Sequence, residues 1–156
     1  MKKLNIFILL VSLPVVGGAM SFFSKQVLFS EVKGIVQKQG KPLVNVEVIR
    51  SYTELDNRNH ESVKTDAQGQ FNFSKVTKTL FFELGFFPPS EVVVSQDIIL
   101  NYKGISYDAW VFVRDNYDNG SELGVNTINL ICDISNEPKQ LISKTGGVVY
   151  GICLLN

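Results

Sequence analysis

The sequence predicts an all-β protein built as a single antiparallel β-sandwich. Short runs rich in Val, Ile, Phe and Tyr recur along the chain, separated by clusters of Gly, Pro, Asn and Asp. Evenly spaced runs of this kind are typical of sandwiches and barrels. The 3.6-residue repeat of an amphipathic helix is almost absent after residue 21. A chain of 156 residues is long enough for one domain with a sizeable core.

The first 21 residues have the pattern of a secretory signal peptide. Lys2 and Lys3 are basic, residues 4–16 are nearly all apolar, and small residues follow. The apolar run is short against the roughly 20 residues that span a bilayer. We expect cleavage after Ser21 or Ala19 and a folded domain at residues 22–156. A retained anchor is the alternative; cleavage would leave no stable membrane anchor and place the protein in the bacterial periplasm or outside the cell.

The apolar runs give the strands in order. Predicted strands cover residues 27–37, 43–52, 60–65, 71–73, 80–84, 91–102, 105–114, 125–134 and 148–155, with a weaker segment at 140–143. In the second of these strands, Val44, Val46 and Val48 alternate with polar residues, which predicts that all three enter the core. Residues 53–59 are polar and are predicted to form a loop.

Turn residues separate these strands. Gly40-Lys41-Pro42 and residues 66–69 (Asp-Ala-Gln-Gly) predict tight turns, since Asp bonds its own backbone and Gly accepts a positive φ. Lys103-Gly104 predicts a hairpin turn, and Asn119-Gly120 lies within a polar loop at 115–124. The sequence Phe86-Phe87-Pro88-Pro89 predicts a loop, because proline cannot donate to a sheet.

Two cysteines, Cys132 and Cys153, follow the predicted signal peptide. An even count in an oxidising compartment indicates one disulfide bond. Closing a loop of about 20 residues would stabilise the fold by roughly 3 kcal/mol. Two buried free thiols are the alternative.

Three segments carry a resemblance to a known family: Gly34-Ile35-Val36, residues 40–48 (GKPLVNVEV) and residues 65–73 (TDAQGQFNF). They resemble the carboxypeptidase regulatory-like domains, which share the transthyretin-like (prealbumin-like) β-sandwich. Residues 131–134 (Ile-Cys-Asp-Ile) and the strands after them resemble a family of uncharacterised exported bacterial proteins built on that domain. The resemblance implies a sandwich of seven or eight strands with Greek-key connections. It does not imply a function, because one fold hosts many functions.

The sequence lacks the common catalytic and metal-binding motifs. His60 is the single histidine, whereas a carboxypeptidase zinc site needs at least two and the transthyretin-like hydroxyisourate hydrolases have several. No Gly-x-Ser-x-Gly nucleophile motif occurs, although a Ser–His–Asp triad using His60 stays open. We therefore expect no enzyme activity and no cofactor, with an unrecognised hydrolase as the least favoured reading. His60 is interpreted as a polar residue at a strand edge.

The acidic loop allows a calcium hypothesis. Asp115, Asp118, Asn119 and Glu122 could supply the oxygen ligands that hard cations prefer. The spacing departs from the EF-hand pattern, because Tyr117 stands where a ligand belongs. A solvated loop without a metal is the alternative interpretation.

The remaining hypothesis is a binding module whose partner is another protein. Fifteen basic and fifteen acidic residues give no basic surface for nucleic acid. Loops at the ends of a rigid sandwich commonly carry function. The candidate binding residues are Tyr52, Glu54, Asp56, Arg58, His60, Phe86, Phe87, Asp115, Tyr117 and Asp118.

Several alternatives accompany this hypothesis. Phe86 and Phe87 either form an exposed binding element or fold back over the core. An inhibitor or immunity protein against a toxin or hydrolase is one specific version of protein binding. A carbohydrate- or small-ligand-binding module using Trp110 or a sheet face is the alternative function. The oligomeric state stays open, since exposed edge strands can pair with a second copy.

Overall fold

The computed structural model describes residues 22–54, 56–82 and 93–156, with side chains for 25–54, 56–79 and 93–156. These segments form thirteen β-strands and no helix, so none of them contains a helix that could cross a membrane. The strands are β1 (Phe22–Phe29), β2 (Glu31–Lys38), β3 (Lys41–Pro42), β4 (Glu47–Glu54), β5 (Asn57–Lys64), β6 (Gln70–Phe73), β7 (Val76–Phe82), β8 (Val94–Tyr102), β9 (Ile105–Arg114), β10 (Thr127–Asp133), β11 (Lys139–Ile142), β12 (Val148–Gly151) and β13 (Cys153–Leu155).

Two main sheets enclose one hydrophobic core, which confirms the predicted all-β sandwich. One sheet has the order β11-β12-β9-β8-β4-β5, and the other has the order β13-β10-β2-β3 with β6 also paired to β2. Strands β1 and β7 form a separate pair. The core draws on both main sheets, with Val48, Ile98 and Trp110 from the first and Val32 and Ile128 from the second. Trp110 is only 1% exposed, so it is a core residue and offers no stacking surface to a ligand.

The described residues form thirteen strands where seven or eight were expected, in part because two predicted strands switch sheets part-way and in part because short strands such as β3, β6 and β11 are present. Residues 27–37 divide at Ser30, where β1 leaves for its pair with β7 and β2 joins β10. Residues 148–155 divide at Ile152, so that β12 and β13 belong to different sheets. Strands β2 and β10 run parallel, whereas the other pairs among the described strands are antiparallel.

The predicted turns at residues 66–69 and at Lys103-Gly104 are confirmed, whereas the turn predicted at Gly40-Lys41-Pro42 lies one residue earlier, at Gln39-Gly40, because Lys41 and Pro42 form β3. The Asp66 carboxylate accepts hydrogen bonds from the backbone N–H groups of Gln68 and Gln70, at 2.9 and 2.8 Å. Gly69 has a φ of 73°, which glycine adopts without strain. Lys103 and Gly104, with φ of 50° and 78°, close the β8–β9 hairpin.

Two sequence predictions about the β4–β5 region are wrong. Residues 53–59 are not a loop, because β4 continues to Glu54 and pairs with β5 from Asn57 onward. Strand β5 is an edge strand whose side chains are almost all exposed, so it carries no apolar alternation that could have revealed it. Val44 is 47% exposed, because Asn45 turns the chain with a φ of 58°; only Val46 and Val48 enter the core.

The predicted disulfide between Cys132 and Cys153 is confirmed. The two cysteines lie directly opposite each other on β10 and β13, and both are buried in the core. The bond therefore anchors the last strand to the centre of its sheet.

Candidate functional site

The outer face of the six-stranded sheet carries a group of exposed apolar side chains. We call it the apolar patch: Val111 and Val113 on β9, Ile142 on β11, and Val148 and Tyr150 on β12. Tyr150 lies opposite Val111, and Ile142 lies opposite Val148. The antiparallel register places Val148 beside Val113, so the five side chains form one continuous surface. Their exposed fractions range from 36% to 81%.

The apolar patch is not a consequence of core packing. Along β9 the neighbouring residues Trp110 and Phe112 point inward and are buried. An antiparallel sheet with one solvated face normally alternates apolar and polar residues. Residues 109–113 (Ala-Trp-Val-Phe-Val) are instead apolar at five consecutive positions. Strand β9 therefore has the composition of a strand covered on both faces, although the described residues cover only one.

The loop residues selected from the sequence do not include this patch. The signal that could have revealed it is the unbroken apolar run at 109–113, which lies within the predicted strand 105–114. Phe86 and Phe87, the two aromatic residues proposed for binding, lie outside the described residues.

A charged border flanks the apolar patch. The guanidinium of Arg58 on β5 makes two hydrogen bonds of 3.1 Å to the carboxylate of Asp97 on β8. Asp97 is the cross-strand neighbour of Val111. Two of the predicted binding residues, Arg58 and His60, lie on strand β5, which β4 and β8 separate from β9; only the guanidinium of Arg58 reaches Asp97 at the border of the patch.

His60 does not form a catalytic triad with its neighbours. It lies opposite Ser51, and Ser51 lies opposite Asp97, so the order across the sheet is His–Ser–Asp. A charge-relay triad needs the histidine between the serine and the carboxylate. The carboxylate of Asp97 is instead engaged by Arg58.

Other predicted binding residues meet at one end of the sandwich. The Tyr117 hydroxyl donates to the Glu54 carboxylate at 2.8 Å, and Lys78 donates to the other oxygen at 3.1 Å. Burial, the hydrogen bond and the negative charge of Glu54 raise the pKa of Tyr117 to about 12. Tyr52 packs against the core, while Asp56 is exposed at the turn. This cluster fastens the 115–124 loop to the β4–β5 hairpin.

The acidic loop does not assemble the predicted calcium ligands. Glu122 points into the protein and is fully buried, where it pairs with Arg114 at 2.9 Å. Asp115 and Asp118 remain exposed on the loop. Across the described part of the chain, no three His, Cys, Asp or Glu side chains are grouped as a metal site requires.

A second surface lies on the other sheet, and we call it the polar groove. It has a volume of about 580 Å³ and runs over the outer side of β2, β6 and β10. Two lining residues, Val63 and Lys64, come from β5 at the edge of the six-stranded sheet. The exposed or half-buried lining consists of Lys33, Gly34, Ile35, Val63, Lys64, Asp66, Gln70, Asn72, Asn129, Ile131 and Asn156. The sequence analysis raised a sheet face as a ligand surface but selected none of these residues.

Residues 32–137 match a family model described as a domain of unknown function (DUF6795). The chain belongs to this family. The DUF6795 segment extends from β2 through β10, so it includes Val111 and Val113 of the apolar patch, whereas β11 and β12 follow it. No curated protein and no solved structure matches the chain.

Proposed function

We propose that this DUF6795 protein is a non-catalytic binding module and that the apolar patch docks another protein. The observation that carries the proposal is the continuous group of five exposed apolar side chains on β9, β11 and β12. Contiguous apolar surface on a folded protein commonly marks an interaction site.

The chemistry of the apolar patch favours a protein partner over a small ligand. The patch is a sheet face of branched aliphatic side chains with one tyrosine, and its polar border holds the Arg58–Asp97 ion pair. An apolar centre inside a polar rim is the usual anatomy of a protein interface, and tyrosine is enriched there. Branched aliphatic side chains offer few hydrogen bonds with which to select a small polar molecule.

The same proposal includes export to the periplasm or the outside of the cell. The signal-peptide pattern at residues 1–21 supports this, as does the disulfide between Cys132 and Cys153, because such bonds persist in oxidising compartments.

The carboxypeptidase regulatory-like, transthyretin-like version of the sandwich rests on the sequence resemblance at 34–36, 40–48 and 65–73. Inhibition or neutralisation of a toxin or hydrolase is one specific version of the protein-binding proposal.

The proposal is tested by placing a charge within the apolar patch. The wild-type protein and the Val113→Lys variant are used as bait in extract from the native source, and the retained partner is then purified and titrated by calorimetry. We expect the variant to lose at least about tenfold in affinity, since a buried ammonium without a counter-charge disfavours the complex.

Ile105→Lys is the matched control. Ile105 is on the same strand and is equally exposed, at 56%, but lies at the far end beside the hairpin turn. This variant is expected to bind the partner as the wild type does. Equal binding by all three proteins would contradict the proposal.

A second copy of this chain is the competing occupant of the patch. Sedimentation of the wild-type protein as a dimer, with Val113→Lys as a monomer, would assign the patch to self-association and contradict a foreign partner. We expect both proteins to sediment as monomers.

A further inference from the structure

The polar groove presents rows of side chains in register across three strands. Asn72 on β6, Lys33 on β2 and Asn129 on β10 are direct cross-strand neighbours. Asn156 continues the row, since its backbone N–H donates to the Asn129 carbonyl at 3.0 Å. Neighbouring strands lie about 4.8 Å apart, so the row offers polar groups at regular short intervals.

A second row lies beside the first. Gln70, Ile35 and Ile131 are cross-strand neighbours, and the two isoleucines are half-buried. The groove therefore has a small apolar floor at its middle, flanked by amides.

The amides of the polar groove are unengaged within the described residues. There, no intramolecular hydrogen bond uses the side-chain amide of Gln70, Asn72, Asn129 or Asn156, although all four line one surface. The side chains of Gln96 and Asn101, by contrast, donate to glutamate oxygens at 2.9 Å. Each free amide can donate two hydrogen bonds and also accept.

The charges around the groove are balanced. Lys33 is paired with Glu31 at 3.2 Å, and the lining contributes Lys64 and Asp66 with opposite signs. An acidic or basic ligand would meet little net attraction on such a surface. A neutral ligand rich in hydroxyl groups matches it, because hydroxyls donate and accept just as amides do.

We infer that the polar groove binds a neutral oligosaccharide. The amides of Asn72, Asn129 and Gln70 bond the hydroxyl groups, and the Lys33 ammonium donates to ring or hydroxyl oxygens. Ile35 and Ile131 contact the apolar C–H face of a sugar ring. The rows of this site lie on the opposite sheet from the apolar patch, with only Val63 and Lys64 coming from the edge strand β5, and the site does not depend on the proposed protein partner.

The test uses the full chain and four hexasaccharide probes: maltohexaose, cellohexaose, chitohexaose and hexagalacturonate. Binding is measured by calorimetry at low and high salt. We expect saturable binding to at least one of the three neutral probes, little changed by salt. The Asn72→Ala/Asn129→Ala double variant should weaken it about tenfold, as expected for the loss of two hydrogen bonds.

The matched control is Asn57→Ala/Asn59→Ala, which removes two exposed amides from β5 outside the groove. It should bind as the wild type does, and far-ultraviolet circular dichroism confirms that both double variants are folded. Absence of binding to all neutral probes would overturn the inference. The inference would also be overturned if hexagalacturonate alone bound and its binding were lost at high salt. The same holds if the control double variant weakened sugar binding as much as the groove double variant does. Val113→Lys should retain the sugar affinity, which separates this test from that of the protein partner.

Discussion

At the scale of single residues, the buried ion pair of Arg114 and Glu122 joins the long loop to β8, to β9 and to the junction between β1 and β2. One carboxylate oxygen of Glu122 accepts from Arg114 and Gln96, both at 2.9 Å, and from the Ser30 backbone at 3.1 Å. The other oxygen accepts from the Ser30 hydroxyl at 2.7 Å. Burying charges is unfavourable unless each is paired and hydrogen-bonded, and this carboxylate meets both conditions.

Replacing Glu122 with Gln should strongly destabilise the protein. The variant keeps the shape of the side chain but leaves the Arg114 charge buried without a counter-charge. We expect the free energy of unfolding to fall by about 3–5 kcal/mol in urea denaturation. Glu137→Gln, at an exposed glutamate, is the control and should change it by less than about 0.5 kcal/mol. A loss below about 1 kcal/mol for Glu122→Gln would contradict the importance of the ion pair.

Asp133 should make stability depend on acid pH. Burial raises the pKa of its carboxyl, but hydrogen bonds from Ser135 and from the backbone of Gly40 and Gln39 outweigh this and lower the pKa from 3.8 to about 2. When the pKa of a carboxyl is lower in the folded state than in the unfolded state, the carboxyl stabilises the fold at pH values above its unfolded-state pKa. This stabilisation is lost as the pH falls through the folded-state pKa.

We therefore expect the wild-type free energy of unfolding to fall between pH 3.8 and about 2, and Asp133→Asn to show a flatter profile there. Urea titrations at several pH values measure both profiles. Parallel profiles for the two proteins would show that Asp133 does not cause this acid dependence.

At the scale of elements, the Cys132–Cys153 bond holds the short strand β13 against β10. The two cysteines are 21 residues apart, and β13 pairs with β10 through only three residue pairs. The double variant Cys132→Ser/Cys153→Ser should lose about 3 kcal/mol of stability in the chain-entropy model. Addition of reductant to the denatured wild type should lower its unfolding midpoint comparably while leaving the variant unchanged. A midpoint of the variant equal to that of the oxidised wild type would contradict this role.

The sequence was sufficient to predict elements with a strong local signal. The alternation through Val46 and Val48, the turn at Asp66–Gly69 and the hairpin at Lys103-Gly104 all depend on residues close in the chain, and each is present. The disulfide followed from a count of two cysteines in a chain expected to be exported.

The remaining features depend on contacts between distant segments. Strand β5 is polar because it is an exposed edge, so a local pattern indicates a loop there. Arg50 and Arg114 point into the core. In an alternating strand pattern a charged residue is expected to face solvent, so the sequence did not predict this. Arg50 lies between the rings of Phe29 and Phe73, at 5.0 and 4.8 Å from their centroids. Such cation–π packing requires side chains from three separate strands.

At the scale of the whole molecule, the two sheets present different outer surfaces. The six-stranded sheet exposes the apolar patch, and the other sheet exposes the polar groove. Among the loop residues predicted to bind, Tyr117 and Glu54 bond each other, and Arg58 bonds Asp97. Binding by sheet faces would leave the hydrogen-bonded loop framework undisturbed.

The most direct test of the protein-binding claim is site-specific photo-crosslinking from the patch. A photoreactive phenylalanine analogue replaces Val113 in one protein and Ile105 in another, and each is irradiated in extract from the native source. We predict a single crosslinked product with another protein from position 113 and none from position 105. Crosslinks from both positions, from neither, or from position 113 only to a second copy of the chain would contradict the claim.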